Sequence, residues 1–230
     1  MTLYETIFVR RAVRKYDDKP LDDKTLAELQ AFLDTSDRMA RQEARFEIVP
    51  TGAVKGMAAP HYILTFCKAD ACAYANVGYV LSNCDLYLQS RGLGSIFLGM
   101  AKPVKDRDDF CILLALGNSD VPFRTGEEDF NRLPITEISN ADNPVAHAAR
   151  ISPSAMNSQP WRLNFNDGTV TVSYFGRGIS QMILKKKMSK VDVGIASRHV
   201  VVALQNEGKE IVSVTPRMDN KSLTVEITYR

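Results

Sequence analysis

The 230-residue chain has few of the residues that mark metal centres or disulfide frameworks. Among its three histidines and four cysteines, no two cysteines form a C-x-x-C pair, and no histidine lies at metal-ligand spacing from a cysteine. No apolar run reaches the ~18 residues that a membrane-spanning helix needs. The first residues lack a basic segment followed by an apolar core, so no secretory signal is expected. These absences predict a cytoplasmic protein with reduced thiols and no membrane partner.

A large excess of one charge is also missing. The formal net charge is +2, which does not predict binding to nucleic acid. Hydrophobic residues make up 45% of the chain and charged residues 24%, values typical of globular proteins. A chain of this length can form one large domain or two small ones, and it can bury a sizeable core.

One stretch stands out for its composition. Ser152–Trp161 (SPSAMNSQPW) contains the only tryptophan, two prolines and three serines. Ser152 or Ser154 could cap a following helical turn, with Pro153 at its first position. Such a turn presents unpaired N–H groups, which can bind an anionic or polar ligand edge. A plain helix cap followed by an anchoring tryptophan explains the same pattern.

Apolar periodicity and turn residues predict helices and strands along the whole chain. Helices are predicted over 3–11, 21–33, 74–90, 143–149 and 192–207; strands over 46–49, 61–67, 111–117, 162–165, 169–174, 211–214 and 223–229. The strand at 61–67 is apolar almost throughout and is therefore predicted to be central. An extended connector is predicted over 122–139, and a turn at Asp219–Asn220.

The two halves of the chain resemble each other. A shift of 116 residues places Val77–Gly78 on Val193–Gly194, Leu88–Gln89 on Leu204–Gln205, Gly92 on Gly208 and Gly52 on Gly168. This agreement predicts an internal duplication, with halves at 1–120 and 121–230. Since homodimers mostly have two-fold symmetry, a fused pair would form a pseudo-two-fold monomer.

Each half keeps one distinctive segment that the other lacks. The basic segment Arg10–Ala12 is matched by Gly126–Glu128, and Ser152–Asn157 is matched by Ser36–Arg41. A ligand that needs both distinctive segments would find one complete site. We therefore predict one ligand per chain.

The distinctive segments resemble motifs of the FMN-dependent nitroreductase family. Ile7–Tyr16 (IFVRRAVRKY) resembles its N-terminal flavin-binding motif I-x-x-R-R-S-x-R-x-F, and Ser152–Trp161 resembles its (A/S)-P-S-x-x-N-x-Q-P-W segment. Leu88–Gly99 (LQSRGLGSIFLG) is similar to its central helix end and flavin-facing loop. Phe130–Pro134 (FNRLP) is similar to its basic-x-Arg-Leu-Pro stretch. About 140 residues separate the first two motifs, as in the tandem, single-chain type called TM nitroreductases.

The resemblance implies an α+β fold with two pseudo-symmetric halves, each a mainly antiparallel sheet packed by helices. It implies that FMN lies between the halves and that NAD(P)H reduces it by hydride transfer. A small-molecule acceptor, such as a nitroaromatic or a quinone, would then take two electrons in a ping-pong cycle. The chain would be a monomer acting as an internal pseudo-dimer. No catalytic side chain is implied, because the cofactor carries the chemistry.

The first half would bind the flavin through its basic segment. Arg10 resembles the phosphate-binding arginine, whose planar fork matches phosphate oxygens. Arg11 and Ala12 would line the ribityl chain and pyrimidine ring, largely through backbone groups. Arg14 resembles the cation near flavin N1 and O2, where positive charge stabilises the anionic hydroquinone. The backbone at Leu98 and Gly99 is the candidate donor to N5.

The second half would supply a further phosphate cation, Arg132, and the covering residues Pro153, Ser154 and Asn157.

Two positions depart from the family pattern. Ala12 replaces a serine, which removes a hydroxyl contact to the flavin, and Phe130 replaces a basic residue near the phosphate. These departures support the alternative of a non-enzymatic or sensor-type flavin-binding protein. A deiodinase-like or flavin-modifying relative is a further alternative.

Four further features have plain structural explanations. The basic run Lys185–Lys187 could bind a phosphate or simply be solvated. Asp192 is predicted to cap the helix that follows it. His199 is predicted to form an interhelical hydrogen bond, and Cys84 to lie in the core.

Substrate-contacting lids are predicted at 51–60 or 175–190.

Overall fold

The computed structural model describes residues 1–176, 187–219 and 222–230. The helices are α1 (Leu3–Val9), α2 (Asp23–Thr35), α3 (Ala71–Ser90), α4 (Ile135–Ile138), α5 (Pro144–Arg150) and α6 (Met188–Asn206). Short 3-10 turns occur at Glu127–Asp129 and Ala155–Asn157. The strands are β1 (Arg45–Pro50), β2 (Val54–Lys55), β3 (His61–Phe66), β4 (Gly94–Leu98), β5 (Lys102–Pro103), β6 (Phe110–Gly117), β7 (Trp161–Asn166), β8 (Thr169–Tyr174), β9 (Ile211–Asp219) and β10 (Ser222–Tyr229).

Two four-stranded antiparallel sheets have the same topology. Their strand orders are β1-β3-β6-β4 and β7-β8-β10-β9, so each runs first, second, fourth, third along the chain. In each, one long helix separates the second strand from the third. The α+β prediction with mainly antiparallel sheet is confirmed.

The strand β3 is central, as its apolar sequence predicted. All six of its residues are buried, and it pairs with β1 on one side and β6 on the other. Alternate side chains enter two different cores, because successive residues of a strand point to opposite faces. Ile63 joins the main core, whereas Tyr62 and Leu64 join a smaller apolar cluster on the opposite face.

Asp and Asn side chains fix where three helices begin. The carboxylate of Asp22 accepts the N–H of Thr25, that of Asp70 accepts the N–H of Ala73, and Asn143 Oδ1 accepts the N–H of Ala146, each at 2.8 Å. Each bond satisfies one N–H that the helix itself leaves unpaired. Short polar residues therefore set these boundaries locally.

Both long helices end in the same way. Gly92 adopts φ +83° and donates its N–H to Gln89 O, while Leu93 donates to Leu88 O, both at 3.0 Å. The same two bonds recur at 3.0 Å where Gly208 and Lys209 follow α6. This arrangement satisfies the last carbonyls of a helix and favours glycine at the left-handed position. The repeated L-Q-x-x-G sequence thus encodes two equivalent helix ends.

The helices α3 and α6 cross in contact at two glycines. A Cβ at Gly78 would clash with the carbonyl of Val191, and a Cβ at Gly194 would clash with the carbonyl of Ala75. A separation of 116 residues relates Gly78 to Gly194 and Ala75 to Val191. The two contacts are therefore counterparts, and both helices are buried over most of their length.

The structure corrects several predicted boundaries. Gly94–Leu98 forms the edge strand β4, where the sequence had indicated only a loop after α3. The helix α6 begins at Met188, so Asp192 lies inside it, and the prediction that Asp192 caps it is wrong. The helix α1 ends at Val9, and the basic segment that follows is not helical.

Later parts of the chain also differ from prediction. The connector over 122–139 contains a 3-10 turn and the short helix α4, and β9 continues to Asp219. Residues 185 and 186 of the basic run, residue 220 of the predicted turn and most of the 175–190 lid lie outside the described residues. Of the helices that the structure describes, not one has the length and apolarity to cross a bilayer.

We predict that Gly194→Ala destabilises the protein. In an open helix this change stabilises by about 1 kcal/mol through helix propensity. Here the new methyl meets the Ala75 carbonyl, and overpacking of this kind costs about 1–3 kcal/mol. Urea unfolding measures the difference. Gly99→Ala is the control, because its Cβ would meet only the flexible thioether of Met188; equal or raised stability of Gly194→Ala would contradict the close crossing.

Candidate functional site

Arg10 is held by a buried ion pair. It follows the last turn of α1, and its Nε donates to Asp85 Oδ2 at 2.7 Å. Arg10 is only 3% exposed, and Asp85 on α3 is fully buried. Among the described residues, nothing accepts a hydrogen bond from the two terminal nitrogens of Arg10. The Asp85 carboxylate therefore anchors the guanidinium through Nε and leaves its two terminal nitrogens, the outer fork, available to a ligand.

Asp85 also organises the segment that follows Arg10. Its Oδ1 accepts from Ser95 Oγ at 2.6 Å and from Gln89 Nε2 at 2.9 Å. Gln89 in turn bonds both backbone groups of Arg11, accepting its N–H at 2.9 Å and donating to its carbonyl at 3.1 Å. The Ala12 N–H, by contrast, has no acceptor within the described parts of the chain. The backbone N–H that is free to bind a ligand is therefore that of Ala12, not that of Arg11.

Arg132 and Asn157 contact each other directly. Arg132 Nη1 donates to Asn157 Oδ1 at 2.7 Å, and its Nη2 donates to the Ile151 carbonyl at 3.2 Å. The Arg132 Nε is buried and has no hydrogen-bond partner. Asn157 Nδ2 donates to the Asn131 carbonyl at 2.8 Å. The Asn157 amide therefore fixes the backbone and the guanidinium of the FNRLP stretch.

Several arginines lie around the contact between Arg132 and Asn157, and few carboxylates balance their positive charge. Burial, and then the charges of Arg10, Arg124 and Arg150, lower the pKa of Arg132 to about 10. Asp85 pairs with Arg10, and Glu127 pairs with Arg150 at 2.6 Å. Neither Arg124 nor Arg132 has an ion pair with a carboxylate within the described ranges. An anionic group placed here would relieve the repulsion.

Arg124 is a member of this cluster that the sequence motifs did not identify. Its Nε donates to the Arg10 carbonyl at 3.1 Å, and its backbone N–H donates to the Val9 carbonyl at 2.9 Å. More than 110 residues separate Arg124 from Arg10. Its place in a polar connector gave no periodicity or motif that could predict this contact.

His199 lies close to the arginines as a neutral side chain. Its Nδ1 is 3.0 Å from the Ala148 carbonyl on α5, which confirms the predicted interhelical bond. That bond places the proton on Nδ1, and the buried Nε2 has no partner. Burial, together with Arg10 and Arg132, lowers the pKa of His199 to about 3. Protonation of the His199 ring is therefore disfavoured at neutral pH in this arrangement.

The stretch Ser152–Trp161 has a strained backbone. Met156 and Asn157 have φ 53°, and Gln159 has φ 45°, which places three non-glycine residues in the left-handed region. Gln159 holds this conformation, since its N–H donates to Ser154 Oγ at 3.0 Å and its Oε1 accepts the Leu133 N–H at 2.9 Å. Strain that is fixed by its surroundings is a feature of ligand sites.

The predicted helix cap is only partly correct. Ser154 occupies the capping position of the 3-10 turn, but its hydroxyl accepts from Gln159 rather than from the turn. Pro153 precedes the cap, so its predicted place at the first position of the turn is wrong. Trp161 is fully buried at the start of β7, which confirms its anchoring role.

An acidic side chain of α6 accepts a hydrogen bond from the first N–H of the 3-10 turn at Ala155–Asn157. The Asp192 carboxylate accepts the Ala155 N–H at 3.1 and 3.3 Å, and burial raises the pKa of Asp192 to about 8. In the first half, Asn76 Oδ1 accepts the Met39 N–H at 2.9 Å. The shift of 116 residues relates these two contacts. The Ala155 N–H is therefore not available to an anionic ligand.

The 3-10 turn and its counterpart in the first half differ in one backbone bond. In the first half, the Ala40 N–H donates to the Val214 carbonyl of β9 at 2.8 Å, which joins that segment to the edge strand β9. Met156 is the counterpart of Ala40 and is 70% exposed. Across the described residues, no backbone bond joins Met156 to β4, the strand that corresponds to β9. The 3-10 turn and β4 thus lack the bond that joins their counterparts.

The predicted residues fall into a connected group with one outlying member. Arg10, Arg132 and Asn157 meet at the arginine cluster, and the Pro153–Asn157 segment joins α6 through Asp192. Gly99, which follows Leu98 at the end of β4, lies against Met188 at the start of α6. Arg14 is exposed, and its one described hydrogen bond is a long contact of 3.5 Å to the Ala12 carbonyl.

Comparisons with known proteins agree with this architecture. The model of the family described as "Putative TM nitroreductase" matches residues 2–204. A "putative nitroreductase" from Thermotoga maritima MSB8 has a similar structure, with 17% identity and a TM-score of 0.74 over 99% of this chain and 94% of that one. A nitroreductase family protein from Clostridium difficile 630 has 16% identity and a TM-score of 0.50, over 62% of this chain and 99% of that one.

No curated protein sequence matches the chain. The family model nevertheless covers most of its length, and the structural similarity to the Thermotoga maritima protein extends over both sheets and both long helices. The chain has the nitroreductase fold, and it belongs to the TM nitroreductase family.

Proposed function

We propose that the protein is an FMN-dependent oxidoreductase that takes electrons from NAD(P)H and passes them to small electrophilic acceptors such as nitroaromatics or quinones. Family membership supports the general oxidoreductase role. The observation that carries the FMN assignment is the arginine cluster, which has an excess of positive charge and a buried guanidinium nitrogen without a partner.

The residues present fit the phosphate of FMN. Arg10 is anchored through Nε, so its two terminal nitrogens are positioned as a fork for two oxygens of one anion. Arg132 supplies a second cation whose charge the surroundings disfavour, and Arg124 supplies a third nearby. A phosphate with a charge near −2 would offset this repulsion. The lost basic residue at Phe130 is compensated by Arg124, which stacks on the Phe130 ring with its guanidinium carbon 4.4 Å from the centroid.

The remaining candidates would orient the flavin ring. The Ala12 N–H can donate to the pyrimidine edge without the hydroxyl of the usual serine. The backbone of Leu98 and Gly99 would donate to N5, and the exposed Arg14 would approach N1 and O2. Pro153 and Ser154 would cover the ring. Asn157 would act through Arg132, because its amide is already bonded to that side chain and to Asn131.

When bound, FMN supplies the hydride acceptance and the two-electron transfer that the side chains cannot perform. The chain contributes position, charge and exclusion of water. His199 stays neutral beside the cluster, and Asp192 keeps the covering turn attached to α6. None of these residues needs to exchange a proton for this role.

We infer further that the chain is an internal duplication, with halves 1–120 and 121–230, and that it acts as a monomeric pseudo-dimer with one FMN. The shared sheet order, the paired glycine contacts and the paired Asn76 and Asp192 contacts support this inference. The counterpart of Arg10 is Gly126, and the Ala40–Val214 bond joins the counterpart of the covering turn to β9, so a second FMN would lack both features.

Absorbance spectroscopy tests the proposed reaction. The purified protein is expected to bind FMN, to lose the flavin absorbance when NADH or NADPH is added without oxygen, and to regain it with a nitroaromatic or a quinone. Bound FMN that neither nicotinamide reduces would remove the reductase assignment and favour a flavin sensor. Protein that takes up no FMN would remove both.

We predict that Arg132→Gln weakens FMN binding by about 10- to 100-fold, since a charge-assisted hydrogen bond contributes about 1.5–3 kcal/mol. Riboflavin lacks the phosphate, so its affinity should stay unchanged. Fluorescence titration with both flavins measures the difference. Arg162→Gln is the control, because Arg162 is an exposed arginine that stacks on Phe175. An equal loss for riboflavin would show that Arg132 does not bind phosphate.

We predict that Asp85→Asn destabilises the flavin-free protein by about 3–5 kcal/mol, because a buried Arg10 loses its counter-ion. FMN should recover part of this loss by neutralising Arg10, so it should raise the melting temperature more in the variant than in the native chain. Asp219→Asn, in an exposed pair with Arg217, should cost at most about 1 kcal/mol. If FMN raised the melting temperature of the variant no more than that of the native chain, the phosphate would have to lie away from Arg10.

A further inference from the structure

A carboxyl group lies buried in α6 without a cation to neutralise it. Asp192 is only 3% exposed, and it forms no ion pair with any residue that the structure describes. Both of its oxygens accept the same N–H, that of Ala155, at 3.1 and 3.3 Å. A carboxylate in this position loses its hydration and gains one shared hydrogen bond, so burial favours the neutral acid. The proposed flavin chemistry leaves the proton of this acid unexplained.

The other charged groups in this core do not offset the cost of ionising Asp192. Helix α6 packs against α1, α3, α5 and the strands of the second sheet. The buried or half-buried acidic and basic groups on α6 and on these elements each have another partner: Lys190, Arg198, His199, Asp85, His147, Arg150 and Glu226. The tyrosines and cysteines there, including Cys84, which is fully buried as the sequence predicted, are neutral at neutral pH. Burial therefore raises the pKa of Asp192 to about 8, the Ala155 N–H acts in the opposite direction, and no charge of a described residue contributes.

The first half contains a counterpart of this contact that cannot titrate. Asn76 corresponds to Asp192, and its Oδ1 accepts the Met39 N–H at 2.9 Å. The Asn76 amide has the shape of a carboxyl group but does not ionise. The Ala40 N–H adds a bond to β9 that Met156, its counterpart, lacks among the described residues. The start of the 3-10 turn at Ala155–Asn157 therefore depends on Asp192 more than the counterpart segment depends on Asn76.

We propose that Asp192 is a positioning residue, which as a neutral acid holds the start of the 3-10 turn against α6 and releases it on ionisation. The proposal rests on the proposed function, in which this turn covers FMN. In the closed turn the carboxyl is buried and keeps its proton. When the turn lifts from α6, water reaches the carboxyl group, which ionises and gives its proton to solvent. Opening therefore releases one proton and becomes more favourable as the pH rises.

The strain in this stretch makes opening accessible. Met156, Asn157 and Gln159 all have left-handed backbones, whereas Arg41 is the one described non-glycine residue of the first half with a positive φ. Asn157 and Gln159 are bonded to the FNRLP stretch, which holds the far end of the turn. The near end, at Ala155, is held by Asp192. Loss of this one bond would thus free the near end while the far end stays attached.

The two states of the turn define the pH range of the effect. The pKa of Asp192 is about 8 in the closed turn and returns toward the ordinary value of 3.8 when water reaches it. Below the lower value both states hold the proton, and above the upper value both have lost it. Between them, the opening equilibrium shifts toward the open turn by about tenfold per pH unit. Release of FMN through the open turn should accelerate in parallel.

Amide hydrogen exchange of the flavin-free protein tests the proposal. Because base catalyses exchange, an amide whose opening does not depend on pH exchanges about tenfold faster per pH unit. Between about pH 5 and 7, the Ala155 N–H is expected to exchange about 100-fold faster per pH unit, since opening adds a second factor of about ten. The Met39 N–H, which bonds to Asn76, is the internal control and should follow the single factor. An Ala155 rate that rises no more steeply than that of Met39 would overturn the proposal.

The variant Asp192→Asn separates titration from a merely structural role. It keeps an oxygen acceptor for the Ala155 N–H, as Asn76 does for Met39, but removes the proton. The Ala155 rate in this variant should rise only about tenfold per pH unit. A steep rise that persists in the variant would assign the pH dependence to another group, such as His147, and would overturn the proposal.

The rate of FMN release connects the turn to the flavin. The ratio of the release rates, native chain over Asp192→Asn, is expected to rise with pH by up to about tenfold per unit. This ratio cancels the titration of the FMN phosphate, which both proteins share. A ratio independent of pH would overturn the claim that the turn controls FMN release. Failure of both proteins to bind FMN would overturn the proposed function, whereas the exchange of Ala155, measured without flavin, would still decide the role of Asp192.

Discussion

The close crossing of α3 and α6 is the contact on which the rest of the fold depends. Gly78 and Gly194 each lie against a backbone carbonyl of the opposite helix, so no side chain separates the two axes there. Each helix also packs against the strands of its own half, and the crossing therefore fixes how the two sheets face each other. The candidate flavin residues come from both halves, and their spacing follows from this contact.

The candidate site shows how a fold of near-neutral charge creates local positive potential. Asp85 neutralises Arg10 on one side only, which leaves the outer fork free, and Glu127 neutralises Arg150. Arg124 and Arg132 add charge that no described carboxylate balances by an ion pair. Because the arginines are largely buried, their unbalanced positive charge destabilises the protein without a ligand and favours the binding of an anion. At the positions 116 residues away, Gly126 stands in place of Arg10, and the Ala40–Val214 bond joins the segment to β9.

Local sequence predicted the features that depend on local interactions. The central strand β3, the paired strands β7 and β8, both long helices and their glycine ends follow from apolar runs and turn residues. The strand β4 was missed because it is short and follows a glycine-rich turn. The interior position of Asp192 was missed because α6 begins with residues of no capping type. Contacts such as Arg10 with Asp85, and Arg124 with Arg10, join residues 75 or more apart, which no local pattern reveals.

The number of FMN molecules bound per chain tests the account most directly. Titration of the purified protein with FMN, combined with the molecular mass of the complex in solution, should give one FMN per 230-residue monomer. This result follows because the counterpart of Arg10 is Gly126 and the counterpart of the covering turn is bonded to β9. Two FMN molecules per chain would contradict the proposed single site. One FMN shared at an interface between two chains would contradict the internal pseudo-dimer.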